Sequence, residues 1–223
     1  QFASFGILLA RTDPAAAKHK GISCLIVDMR GPGITIRPLR QITGSAEFSE
    51  TFFDAAAVPR ANLIGAENGG WTVASTTLAH ERGTSFPFKE QVLHKIYVDE
   101  LGDLLRRRGG AGDPVLRQRY AARCIDVEIM RLHNCRMMTR LARGELPGPE
   151  SSIVKLFWAD MTQHLGALAV DALGPAAQLA AADAVDEGRW QQRMLWSRCA
   201  SIAGGTSEIQ RNIIAQRLLG LPR

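Results

Sequence analysis

The sequence predicts an α+β fold, a partial antiparallel β domain followed by an up-and-down bundle of the four-helix type. Three observations carry this. Up to about Val58 the chain consists of short β-branched and apolar runs broken by Pro and Gly. From Trp71 onward, apolar residues recur at three- and four-residue spacing over long stretches. The breaks between those stretches are short, which makes successive helices antiparallel neighbours. The expected division is 1–62 for the β part and 63–223 for the helical part.

Four strands are expected, at Phe5-Leu9, Ile22-Asp28, Ile34-Leu39 and Glu47-Asp54. Between them, Arg11-Thr-Asp-Pro14 and Gly31-Pro-Gly33 are turn chemistry, with proline fixing one dihedral and glycine accepting positive φ. Four strands make half a barrel or sandwich. The first begins almost at Gln1 with nothing to cover its open edge, so the reading is of a chain that continues upstream.

After the loop Gly65-Gly70 the pattern turns helical. Trp71 to about Arg107 reads as one long helix that Gly83 and Pro87 kink or interrupt. Gly109-Gly-Ala-Gly-Asp-Pro114 ends it, and Asp113-Pro114 opens the next. Between Val115 and Gly144, Ile125, Ile129, Leu132 and Cys135 keep one rhythm, read as a buried helix face. From Ser151, Val154, Trp158, Met161, Leu165, Leu168 and Ala172 give the clearest period in the chain, read as core packing. Leu173-Gly-Pro175 breaks that helix, an alanine-rich piece follows, and Trp190 to about Ile202 supplies one more.

The closing stretch begins Ser201-Ile-Ala-Gly-Gly-Thr206. Ser207 with Gln210 reads as a capping box, and Ile209, Ile213, Ile214 and Leu218 mark an amphipathic helix with Gln210, Arg211, Asn212 and Arg217 on its other face. A glycine turn feeding a capped helix leaves free N–H groups and a positive dipole end, suited to a phosphate or a developing oxyanion.

Composition narrows the function. The formal charge of +5, with 22% charged residues, is modest. The arginine knot Arg106-Arg107-Arg108 has no interleaved aromatics, which gives nucleic-acid binding no support and makes a solvated run the plainer reading. Four scattered cysteines without metal-ligand spacing indicate neither zinc nor a disulfide framework, so a reducing cytoplasm is the default. No apolar run approaches the roughly 18 to 20 residues of a membrane span.

Gly204-Gly205-Thr206-Ser207-Glu208-Ile209-Gln210-Arg211 resembles the closing signature of the flavin-dependent acyl-CoA dehydrogenases. Val58-Pro59-Arg60-Ala61-Asn62-Leu63-Ile64-Gly65, followed by Gly69-Gly70-Trp71, resembles that family's passage from its β domain into its last helical domain. The two segments lie in the family's order, and the resemblance covers nearly the whole chain. It implies FAD, an acyl-CoA substrate, an electron-transfer flavoprotein or similar acceptor, and a homo- or heterotetramer.

Such enzymes remove a proton beside the thioester carbonyl while a hydride leaves the next carbon for the flavin. They need a carboxylate base and donors on the carbonyl oxygen. In much of the family the base is a glutamate just before the closing Gly-Thr, where this chain has Gly204. Branches such as isovaleryl-CoA dehydrogenase carry it on the first long helix instead, and Ala79-His80-Glu81-Arg82 stands at that place. The resemblance therefore makes Glu81 the base, with Arg82 beside it, Gly204 and Gly205 binding the thioester, and Thr206 and Glu208 touching the flavin nucleotide. Gly174 matches a cofactor-binding glycine.

Two departures concern what a subunit offers its neighbour's FAD. An Arg-x-x-Phe-Gly string is replaced by Arg106-Arg-Arg-Gly-Gly, and Gln-x-Leu-Gly-Gly by Asp171-Ala-Leu-Gly-Pro175. The expectation that follows is a chain working beside a different partner subunit, as in family members acting on sterol side chains. The alternatives are a non-catalytic subunit of such an assembly, and acyl-CoA oxidase chemistry, which peroxide formation would reveal.

Overall fold

The structure, a computed structural model, describes residues 1–83, 86–145 and 148–222, except the side chains of 79–83 and 181. By internal packing it is two compact units, Gln1–His80 and Glu81–Arg223.

In the first unit, β1 (Phe5–Arg11), β2 (Ile22–Asp28) and β5 (Leu63–Ile64) form an antiparallel sheet with β2 in the centre. The register runs Phe5↔Asp28 to Arg11↔Ile22. β3 (Ile34–Leu39) and β4 (Phe48–Phe53) form a separate two-stranded sheet, so the four expected strands divide between two sheets. Sequence reading missed β5, whose two residues are too few to show an alternation.

Its first helix, α1 (Gly70–Gly83), starts directly on β2. A Cβ at Gly70 would overlap the backbone of Ser23 and Cys24, so only glycine permits that approach. The Trp71 ring stacks on His19 with centroids 4.0 Å apart. Buried Ser23 ties the junction together, its Oγ accepting from the Asn68 N–H at 2.8 Å and bonding the Thr12 hydroxyl at 2.6 Å.

The second unit is a helical bundle of α2 (Phe86–Arg107), α3 (Pro114–Ala142), α4 (Ser151–Leu173), α5 (Arg189–Trp196) and α6 (Ser207–Arg217). The stretch expected as one long helix kinked or interrupted at Gly83 and Pro87 is helical over Gly70–Gly83 and Phe86–Arg107, and residues 84 and 85, where the interruption was expected, lie outside the described residues. Asp113 caps α3, its carboxylate accepting from the N–H groups of Val115 and Leu116. Asn134 of α3 meets the start of α2 at the Pro87 carbonyl, while Tyr120 lies against Gly102 near its other end, so these helices run antiparallel. Glu90 and His94 of α2 contact Trp158 and Thr162 of α4, a parallel register. A Cβ at Gly166 would come within 2.9 Å of the Met194 Cα, which is how closely α5 crosses α4.

The core lies between these helices. Val154, Trp158, Met161, Leu165 and Leu168 of α4 are buried, as their period predicts, together with Leu101, Leu104, Met130 and Trp190. The period of α3 gave the opposite of the truth. Ile125, Ile129, Leu132 and Cys135 face outward, with Ile125 59% exposed, and the buried residues are Val127, Met130 and Asn134. The helix carries two apolar faces, and the one whose Asn134 and Tyr120 find partners on α2 turned inward.

The arginine knot is spent on structure. Arg106 pairs with Asp103, and Arg108 donates to the Leu173 carbonyl at 3.2 Å. Arg107 forks onto Asp186 at 2.9 and 3.2 Å. Asp186 and Glu187 both take positive φ (52° and 58°), and Asp186 is pinned there by Arg107, Arg189 and the Trp190 N–H at 2.8 Å. The Arg107 bond, first, and the Trp190 bond hold the Asp186 carboxyl down at about 2. A depressed carboxyl stabilises the fold fully above its unfolded value near 4, and that stability is lost as pH falls through about 2. Asp186→Asn should therefore cost about 1–2 kcal/mol at pH 7, discounted for the half-exposed guanidinium, and almost nothing at pH 2. Urea unfolding at the two pH values checks this.

Candidate functional site: a glycine turn at the start of the last helix

After α5, a tight turn over Ser197–Ser201 brings the N–H groups of Ile202 and Ala203 onto the Cys199 carbonyl at 2.9 and 2.8 Å. Gly204 and Gly205 then take φ of +66° and +100°, conformations that a side chain would strain. Thr206 is the N-cap of α6, its hydroxyl oxygen accepting from the Ile209 N–H at 3.3 Å. The expected capping box on Ser207 and Gln210 is displaced by one residue at its start, and Gln210 plays a different part.

Gln210 is wholly buried instead of lying on the polar face, and Ile209 is 48% exposed. Its amide nitrogen donates to the Gly204 carbonyl at 2.9 Å and to the Gly205 carbonyl at 3.4 Å. The glutamine thus clamps the carbonyl side of the turn from below. Among the described residues no backbone carbonyl accepts from the N–H of Gly204 or Gly205. Those donors, with the positive end of α6, are what a developing oxyanion needs. Truncating Gln210 to Ala should lower stability by about 1–3 kcal/mol, read as a drop in thermal midpoint, because a wholly buried side chain is lost and two part-buried carbonyls lose their donor.

Among the described residues the nearest atom to a Cβ built on Gly204 is the Lys155 Cε at 3.9 Å. Lys155 itself is buried on α4. Sequence reading missed both Lys155 and the inward turn of Gln210. Helical spacing sorts residues by apolarity, and a buried lysine or glutamine looks like a surface one.

Glu208 is exposed in the first turn of α6 and sits 3.6 Å from Arg211. Its own backbone N–H, then the Thr206 hydroxyl, hold its carboxyl below the ordinary range. A carboxylate there competes with phosphate for the helix end, so Thr206 and Glu208 fit the hydroxyl-bearing part of a nucleotide better than its pyrophosphate. Gly174, at φ +57°, ends α4, and no atom of the described residues lies within 4 Å of a Cβ built on it. It is not brought together with the glycine turn. Lys155 and Gly174 are 19 positions apart along α4, about 28 Å at helical rise. Asp171 is neutralised by Arg119 at 2.6 Å. Glu81 and Arg82 have their backbone in the last turn of α1, but their side chains lie outside the described residues.

Among the described residues no group of three or more His, Cys, Asp or Glu could hold a metal ion, and no helix is long and apolar enough to cross a membrane.

A family model described as acyl-CoA dehydrogenase, C-terminal domain, matches residues 68–219. The acyl-CoA dehydrogenase IpdE1 of Mycobacterium tuberculosis is 41% identical over 97% of this chain and 55% of its own length. The acyl-CoA dehydrogenase FadE34 of the same organism is 38% identical over 99% of this chain and 29% of its own length. Among solved structures, the ChsE4-ChsE5 complex from Mycobacterium tuberculosis matches with a TM-score of 0.84 and 29% identity, over 100% of this chain and 58% of that one. The Tcur3481-Tcur3483 steroid ACAD matches with a TM-score of 0.88 and 28% identity over the same shares. The chain spans about half the length of IpdE1. The family generally uses FAD. By its family match, its relatives and its fold, this chain belongs to the acyl-CoA dehydrogenase family.

Proposed function

We propose that this chain takes part in FAD-dependent α,β-dehydrogenation of an acyl-CoA thioester, with its glycine turn as the oxyanion donor. The observation that carries the reading is the pair of N–H groups at Gly204 and Gly205, without backbone acceptors among the described residues, above a buried glutamine clamp. Bound FAD would supply the hydride acceptor, held in part by Thr206 and Glu208 through its hydroxyl-bearing portion. The turn's donors stabilise the charge that gathers on the thioester oxygen as the C2 proton leaves, and Glu81 takes that proton. Arg82, the next residue along α1, serves the same substrate. An electron-transfer flavoprotein or similar acceptor would take up the electrons.

That no described atom comes nearer than 3.9 Å to a Cβ built on Gly204 supports a bulky acyl group. Structural relatives titled as a steroid ACAD favour a sterol-derived one over a straight fatty chain. The relative solved as a complex of two differently named chains supports a heteromeric assembly, in which Gly174 faces a neighbour's cofactor. One observation favours a second reading, a non-catalytic subunit: glycine stands where much of the family carries its glutamate.

The test is anaerobic mixing of the assembled protein with a panel of acyl-CoA thioesters while flavin absorbance is followed. Bleaching by a bulky polycyclic acyl-CoA supports the proposal. A flavin-containing assembly that no acyl-CoA bleaches would remove it.

A further inference from the structure

Lys155 stands in the second turn of α4 and is 4% exposed, a burial that lysine seldom reaches. Helix α4 packs against α6, and the Lys155 Cε comes 3.9 Å from the point where a Gly204 Cβ would lie. The ammonium is one bond beyond that carbon, about 1.5 Å. Lys155 thus approaches the glycine turn from α4, while Gln210 holds the two turn carbonyls from α6. Taking a cation out of water is costly, and methionine would fill the same length of core without that cost. The charge therefore calls for a use.

It acts on a helix end that is already positive. The turn's N–H groups and the α6 dipole attract negative charge, and a unit charge within a few ångströms adds to that attraction with little screening, because it is held out of water. Glu208, in the first turn of α6, feels the same field. Its own backbone N–H first, then the Thr206 hydroxyl, hold its carboxyl below the ordinary range, and Arg211 and Lys155 add to the shift. Glu208 does not use the place up, since its side chain is 76% exposed and lies 3.6 Å from Arg211. What acts is the charge on Lys155, whatever else the ammonium touches.

We infer, on the reading of the turn as the oxyanion donor, that Lys155 is a positioning residue for the same reaction: its buried charge strengthens the turn's hold on the thioester oxygen as that oxygen becomes negative. The C2–H bond breaks, its proton passes to Glu81, and the electron pair spreads onto the thioester oxygen. There the N–H groups of Gly204 and Gly205 stabilise it, and Lys155 attracts it from α4. The same field makes the C2 proton easier to remove, because the charge it favours exists only after that proton has begun to leave.

An acyl-CoA with sulfur in place of C3 tests this, because its C2 proton can leave while the sulfur carries no hydride for the flavin. Two quantities are read on the assembled, flavin-containing protein: the pH at which the bound probe is half ionised, from its absorbance beside the flavin, and the infrared stretch of its isotope-labelled carbonyl before ionisation. Lys155→Met, which keeps the length and removes the charge, is expected to raise that pH by about 1–2 units, the effect of a unit charge several ångströms away within a protein. The carbonyl stretch should move toward that of the free thioester. Lys155→Gln, polar and uncharged, should repeat both changes, and Lys155→Arg should leave both near wild type. Unchanged pH and stretch in flavin-bound Lys155→Met would overturn the inference, as would changes equally large in Lys155→Arg, which would make the role one of packing. A wild-type assembly that binds the probe but never ionises it would overturn the reading of the turn as well.

Discussion

Replacing Glu81 by glutamine is expected to slow substrate-driven flavin bleaching by about 10²–10⁴-fold, the usual contribution of a positioned general base. Glutamine keeps the size and polarity of the side chain and removes only the basic oxygen. Flavin content and thermal midpoint should therefore stay where they are, and KM should change far less than kcat. Glu81→Asp, which keeps a shortened base, should recover part of the rate. A loss of the same size in Arg82→Lys would not distinguish base from anchor, so the split between kcat and KM in Glu81→Gln is the decisive readout. If the chain is a non-catalytic subunit, Glu81→Gln will leave the bleaching rate unchanged.

The largest effect on stability is expected at Trp158. Its indole is 3% exposed on α4, meets Phe86 edge-on with centroids 4.7 Å apart, and meets Trp196 at 6.3 Å. Its N–H donates to the Glu90 carboxylate at 2.9 Å, in surroundings where burial pushes the Glu90 carboxyl up. Trp158→Ala should cost about 3–5 kcal/mol, combining a core cavity with a buried carboxylate left without its donor. Trp158→Phe keeps most of the ring contact and loses the donor, so it should cost about 1–3 kcal/mol. Urea unfolding midpoints at constant m-value separate the two terms. Equal losses in both variants would mean that the hydrogen bond, not the packing, holds α2 to α4.

The legible parts of this molecule are those where one force decides. The row from Val154 to Leu168 lies at the centre of the bundle with helices on several sides, so apolarity alone fixed its burial. The strands Ile22–Asp28 and Ile34–Leu39 were bounded by turn residues on both sides and came out as read.

The misread parts are those where two solutions looked alike in sequence. On α3 both faces are apolar, and the choice was made by Asn134 reaching the Pro87 carbonyl and by Tyr120 fitting against Gly102. Neither contact is visible along one helix. At the glycine turn the residue types gave the turn and the start of a capped helix, but the clamp was hidden. Gln210 reads as a solvent-facing polar residue until the carbonyls of Gly204 and Gly205 are seen to need a donor. Composition left the arginine knot open, and only the pairing of Arg107 with Asp186, far along the chain, shows it to be structural.

The account rests on Glu81 taking the C2 proton of a thioester whose oxygen is held at Gly204 and Gly205. Proton exchange at that carbon measures it most directly. The assembled protein is incubated anaerobically with its acyl-CoA in deuterium oxide, and deuterium at C2 is followed by NMR. The expected result is exchange at C2 with the wild-type protein and its loss in Glu81→Gln, with flavin bound in both. Undiminished C2 exchange in Glu81→Gln would contradict the account and place the base elsewhere.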